Sequence, residues 1–495
     1  MGMKPLGTIT MYYPFIDEET IDVIQTIMDD ASSYYDFVEK LSEKVYESDV
    51  PETLAYIAAV HAWRVSATGA IQRISKKFGS IPTISAWTTP LRKLPYEEMK
   101  WKFEEIISNI SVDWILAELL FLKCWCGRYS APFTDVEKNI EQAESFFEFR
   151  PDLECFLSAI YTVKGEWQFA YGDIPAADEY YDRVMEIAHK YDDQFQIYLI
   201  KTTYPGFIRT YDSQRALMLQ EEAYQMAKRF EAPEKIAETL SDLGRIFETR
   251  GEYDLAIRAF NESLETFGSY EMEWYREPGD TPAFGLSRVY CELEDGKNAI
   301  EWINTAFELA GPSAYDTPYM ISQKAEALIL VGNFREAVEL LDLCNKLSLK
   351  AARLIFQATC GLATGLLELI QGDPLTAIQT LEPCLESVMS LPLSIYINRI
   401  LIALAKAEIA SNLSGLSEIS EKWLSRLGRH ALEKDLPGIF LIYVLLKAEF
   451  IFKQGLSELA ISTLEEVIGT YDSPSVRTLI ERVHTKISEY KENKK

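Results

Sequence analysis

The chain has 495 residues, with 49 Lys or Arg against 76 Asp or Glu and a formal net charge of −27. A field of that sign repels phosphate backbones and anionic lipid, so it argues against nucleic acid and membrane surfaces as partners and favours a basic or mixed-charge protein. Hydrophobic residues at 48% and charged residues at 25% exclude wholesale disorder, and seven cysteines without a disulfide framework predict reduced thiols in a cytoplasmic protein.

The first 150 residues follow no clean period. Leu6 to Phe15, rich in Thr, Ile and Tyr, reads as a short strand or an extended lead-in. Asp17 to Tyr46 and Pro51 to Phe78 read as two long helices, the second opened by Pro51. Gly79 to Pro95 carries Pro82, Pro90 and Pro95 among Ser and Thr and reads as a loop and boundary. Helical patterning returns over Tyr96 to Tyr129 and Thr134 to Phe149. Cys124 and Cys126 have no second Cys or His pair at zinc-ligand spacing, so no metal site is expected. His61, His189, His430 and His484 stand singly, with no acid–base partner indicated. Only Lys4 is basic near the start, which predicts no secretory leader. The most apolar stretch, Gly438 to Leu446, is interrupted by Lys447 and Glu449, short of the ~20 residues a membrane crossing needs.

From about residue 155 a block recurs: a turn glycine, a small residue five positions on, and a large apolar residue four beyond that. It reads Gly172, Ala177, Tyr181; Gly251, Ala256, Phe260; Gly332, Ala337, Leu341; Gly372, Ala377, Leu381; and Gly455, Ala460, Leu464. The glycine supplies a left-handed conformation that ends a first helix. Asp173 and Asp373 then cap a second helix, with Pro374 at its first position. Seven residues before each glycine comes another small residue: Gly165, Gly244, Ala325, Gly365 and Ala448. Small residues at both places let the two helices approach, while the large residue fills the gap beside them. Ala216, Ala299 and Ser420 hold the small position of three degenerate units, so successive anchors lie 39, 40, 43, 38, 40, 43 and 40 residues apart.

Two segments depart from this unit. Tyr204-Pro205-Gly206-Phe207 falls inside an expected first helix, where proline predicts a kink or break. Glu271 to Pro282, with Trp274 and Tyr275, lengthens one connection and reads as a rim loop, an aromatic anchor or a cover for the adjacent repeat.

Leu243, Gly244, Phe247, Gly251, Tyr253, Ala256 and Phe260 resemble the tetratricopeptide signature. The period exceeds that family's 34 residues, and in this the array resembles MalT-like superhelical repeats. The resemblance implies an all-α right-handed solenoid of stacked helical hairpins over residues 155–488. Ahead of it stand a helical region at 1–80, a loop at 81–95 and degenerate hairpins at 96–154, and a tail follows at 489–495. In the family, the first helix of each hairpin lines the concave face. The lining implied here is Thr162, Glu166 and Phe169, then Ser241, Arg245 and Glu248, then Phe284 and Arg288, then Ser322 and Glu326, then Leu362 and Leu366. The Lys and Asn clamp of co-chaperone repeats is missing from these positions.

No phosphate loop, nucleophile elbow, His-Glu-x-x-His or dinucleotide fingerprint occurs, so neither catalysis nor a cofactor is expected. The expected function is a non-catalytic scaffold or adaptor that binds a protein or peptide along the concave face, with Arg245→Glu and Arg288→Glu abolishing binding and sparing the fold. The rival is a sensor module enclosing a small ligand or signalling peptide, and a third reading places an enzyme site in the first 150 residues. Stacking on a second copy, through the amphipathic stretch Tyr471 to Tyr490, stays open.

Overall fold

The computed structural model describes residues 16–88, 96–127, 133–170, 173–209, 211–269, 281–311, 317–351, 354–389, 396–413, 421–468, 470–471 and 473–493. The described residues form 25 α-helices and two single 3-10 turns, the all-α fold of stacked helical hairpins that the period implies. Leu6 to Phe15, Gly172, Trp274, Tyr275 and Ser420 lie outside the described residues. The chain divides into two compact units. The first is Met1–Tyr204 with Leu219–Thr239, and the second is Pro205–Met218 with Leu240–Lys495.

In the first unit the two long helices expected from the sequence are four: Glu18–Asp30, Tyr34–Glu47, Glu52–Arg64 and Thr68–Phe78. The breaks have local causes. Ser33 caps the second helix by accepting from the Asp36 N–H at 3.1 Å, and Ser66 adopts φ +56° in the tight turn before Thr68. The segment read as a loop contains a further helix, Pro82–Thr88, because Pro82 suits a first helical position and Ile84, Ala86 and Trp87 bury their side chains. Likewise Tyr96 to Tyr129 is divided into Tyr96–Ser108 and Asp113–Gly127.

Glu52–Arg64 is the axis of this core, since every residue from Leu54 to Ala62 is buried. Two of its polar side chains, Tyr56 and His61, are hydrogen-bonded within the core. Tyr34 Oη lies 2.7 Å from His61 Nδ1, and Trp87 Nε1 donates to Tyr56 Oη at 3.0 Å. Trp63 and Trp87 meet edge to face at 5.2 Å.

In the second unit the repeat geometry is direct. Gly251, Gly332, Gly372 and Gly455 have φ between +73° and +85°, the left-handed turn that the spacing requires. Asp373 Oδ1 accepts from the Thr376 N–H at 3.1 Å, and Pro374 opens the helix Pro374–Met389. Phe260, on Tyr253–Ser269, fills a slot between two first helices. A Cβ on Gly244 of Pro233–Arg250 would come within 2.6 Å of its ring, and one on Gly285 of Pro282–Glu292 within 2.4 Å. Gly365 stands the same way against Leu381 at 2.6 Å.

Pro205 does not break its helix. Gln194–Ile208 runs through it, and the Arg209 N–H still reaches the Pro205 carbonyl at 3.1 Å. The proline lies within the last turn, so it forfeits one hydrogen bond close to the end.

The second unit also returns on itself. Gly438, at the start of Pro437–Lys453, lies backbone to backbone on Gly251, where a Cβ would fall 1.9 Å from the Gly251 oxygen. Nearby, Asp254 accepts from the Thr478 N–H at 3.0 Å and from its hydroxyl at 2.7 Å.

Candidate interaction surface

Successive first helices of the second unit bring their polar positions together. Asp242, Arg245 and Glu248 recur every three residues on one face of Pro233–Arg250. Arg288, from Pro282–Glu292, reaches back to Glu248 with two parallel bonds, Nε to Oε1 and Nη2 to Oε2, each 2.6 Å. Both side chains are nearly sealed, at 4% and 7% exposure. Burial works against the Arg288 charge, but the Glu248 carboxylate outweighs it and holds the guanidinium above its ordinary value.

Arg399, near the start of Tyr396–Leu413, is a second hub. It donates to Glu292 Oε1 at 2.5 Å and to Gln323 Oε1 at 3.3 Å, and it pairs with Glu326. Burial pushes the Glu326 carboxyl up, and Arg399 only partly offsets this.

Beside this hub, Asn398 Nδ2 donates to the Thr249 carbonyl at 2.8 Å, which fixes its amide so that Oδ1 faces His430 Nε2 at 2.8 Å. Nε2 of His430 therefore carries a proton and donates to Asn398 Oδ1. Burial, then Lys434 and Arg426, lower its pKa to about 4. A cavity of about 10 Å³ lies against Glu248, Thr249, Tyr253, Glu292, Asn398, Arg399 and Ile439, room for about one water.

The positions expected to line a groove thus occupy an interior. Ser241, Glu248, Phe284, Arg288, Ser322, Glu326 and Leu362 are buried in the second unit, and Arg245 and Leu366 are partly buried there. Thr162, Glu166 and Phe169 are buried in the first unit, on Glu154–Ala170.

Arg399 and Asn398 escaped the sequence reading. Arg399 lies 21 residues before Ser420, outside the frame that places Arg245 and Arg288 eleven residues before Ala256 and Ala299. A polar pair directly ahead of the apolar run Ile400 to Ala405 was the signal present. Among the described residues no helix is long and apolar enough to cross a membrane, and no group of three or more His, Cys, Asp or Glu is placed to hold a metal ion.

Residues 209–268 match the family model of the tetratricopeptide repeat. No curated protein matches the chain in sequence. Among solved structures, it is similar to a Rap protein complexed with competence and sporulation factor, at 11% identity and a TM-score of 0.41, over 83% of this chain and 99% of that one. It is also similar to a STAND signal-transduction ATPase with a tetratricopeptide repeat sensor from Pyrococcus horikoshii, at 15% identity and a TM-score of 0.38. That match covers 90% of this chain and 55% of the ATPase. Yeast Tom70 matches at 12% identity and a TM-score of 0.32, over 96% of each chain. The tetratricopeptide pattern is thus explicit over residues 209–268.

Proposed function

We propose that the chain is a non-catalytic interaction scaffold that binds a protein or peptide through the first-helix face of its repeats. The observation that carries this reading is the tetratricopeptide match over residues 209–268, which contains Arg209, Asp242, Arg245 and Glu248 on the polar face of the second unit. Within that face Glu248 is sealed by Arg288, and Asp242 and Arg245 are the partly exposed members that an extended partner reaches. The partly exposed Arg245, whose side chain is 12% accessible, is the groove position through which a partner reaches this face.

Affinity capture of the intact chain from its native lysate at low and moderate salt, followed by mass spectrometry, tests the reading. One protein retained in near-equal amount, and lost from an Arg245→Glu bait, supports it. Retention of the chain alone argues against it.

A further inference from the structure

Helix Tyr96–Ser108 of the first unit turns Met99 and Phe103 into the core and leaves Trp101 on its opposite side, 60% exposed. Tryptophan is highly buried on average, yet this indole has no ring or cation contact with any described residue. It sits among four exposed glutamates. Glu97 and Glu98 lie four and three residues before it, and Glu104 and Glu105 three and four after, the spacings that make neighbours on a helix surface. Lys102 pairs with Glu98 at 3.3 Å, whereas the carboxylates of Glu97, Glu104 and Glu105 form no ion pair or hydrogen bond with a described residue. Helix stability accounts for half of this pattern. Glu97 and Glu98 stand in the first turn, where carboxylates suit the helix dipole. Glu104 and Glu105 stand near the C-terminal end, where carboxylates are unfavourable, and no basic residue occupies the last turn.

An indole face flanked by such carboxylates matches a guanidinium, which stacks flat on the ring while its edge donates to the acids beside it. A lysine ammonium is a point charge and cannot do both at once. The net charge of −27 draws a basic segment in and turns an acidic one away. We propose that Trp101, with Glu97, Glu104 and Glu105, is a docking point for an arginine in a basic segment of a partner protein. This surface belongs to the first unit, so it does not rest on the first-helix face of the second.

The test is isothermal titration calorimetry of the full chain with acetyl-tetraarginine amide and acetyl-tetralysine amide at fixed ionic strength. The wild type is compared with Trp101→Ala, with Glu104→Gln and Glu105→Gln combined, and with a control that combines Glu301→Gln and Glu308→Gln. The control removes the same charge from exposed positions of Gly296–Ala310 in the second unit. The expected result is that tetraarginine binds the wild type more tightly than tetralysine does. Trp101→Ala and the Glu104 and Glu105 change should each weaken that binding about fivefold or more, and the control should leave it nearly unchanged. Equal weakening by the control would mean that the peptide reads only net charge, and would overturn the site. So would tetraarginine binding that survives Trp101→Ala, tetralysine binding of equal strength, or no binding to the wild type. Trp101→Ala should melt at the wild-type temperature, since it replaces an exposed side chain, and a lower Tm would mark Trp101 as a packing residue and overturn the assignment. Sedimentation of the peptide-free chain covers the other occupant: a dimer lost in Trp101→Ala would give this face to a second copy and overturn the basic segment.

Discussion

Gly244 and Phe260 are held so close that a single methyl on the glycine would enter the van der Waals shell of the ring, 2.6 Å from its nearest carbon. The ring is equally confined at Gly285, where an added Cβ would fall 2.4 Å from it. Gly244→Ala and Gly285→Ala should therefore each cost about 1–3 kcal/mol by overpacking, and Phe260→Ala about 3–5 kcal/mol through the void it leaves. Urea unfolding of the three variants checks this. Combining Gly285→Ala with Phe260→Leu should cost less than the two single changes together.

Arg288 and Glu248 form a buried pair whose single disruption should be severe. Glu248→Gln or Arg288→Met alone should cost about 3–5 kcal/mol, whereas replacing both with apolar residues of similar volume should be close to neutral. A double-mutant cycle by chemical denaturation measures the coupling. Reversing the charge at Arg288 would press two carboxylates together at a position 3% exposed. The expectation that Arg288→Glu spares the fold therefore conflicts with its burial, and charge reversal at the partly buried Arg245 is the cleaner test of the proposed binding.

How much of this was legible in sequence follows from the range of each interaction. The period, the turn glycines and the Gly244–Phe260 contact could be read because they lie within one hairpin. Turns made without glycine were harder to read: Asp192, Glu231, Glu294 and Asp435 all take positive φ, which aspartate tolerates better than most residues but glutamate gives no sign of. Glu294 nonetheless lies five residues before Ala299, where the repeat places its glycine. The Arg399 hub joins partners 73 to 107 residues apart, so its pairing depends on how hairpins stack, which local patterning does not encode.

Two groups, one buried and one half-buried, should give stability opposite slopes with pH. Glu234, in the first unit, is raised by burial to about 7, with Lys235 opposing and Glu238 and Glu39 reinforcing the shift. A carboxyl raised in the folded state favours folding most below its unfolded value of about 4.3 and loses that contribution as pH rises through 7. His430, in the second unit, is lowered to about 4. Its contribution is present above about 6.5 and is lost as pH falls through 4. Glu234→Gln should flatten the loss of stability between pH 4.5 and 7, and His430→Gln the loss between pH 6.5 and 4. Urea midpoints measured across pH 4 to 8 separate the two.

Gly438→Ala should be far more damaging than Gly455→Ala. The first places a Cβ 1.9 Å from the Gly251 backbone oxygen, which cannot rotate away. The second, at φ +84°, meets no atom within 4 Å. Backbone strain alone at Gly455 costs about 1 kcal/mol, and Gly438→Ala should exceed about 3 kcal/mol because two chain segments must part. Thermal melts of the two variants give the comparison.

The Gly251–Gly438 contact has a consequence for cooperativity. In an open array each repeat answers only to the next, so the ends can fray while the middle stands. Here Asp254 holds Thr478 across 224 positions of chain, and the last helices are neighbours of the first. No hairpin of the second unit is terminal in energetic terms, so it should unfold as one block where an open array would melt from its ends.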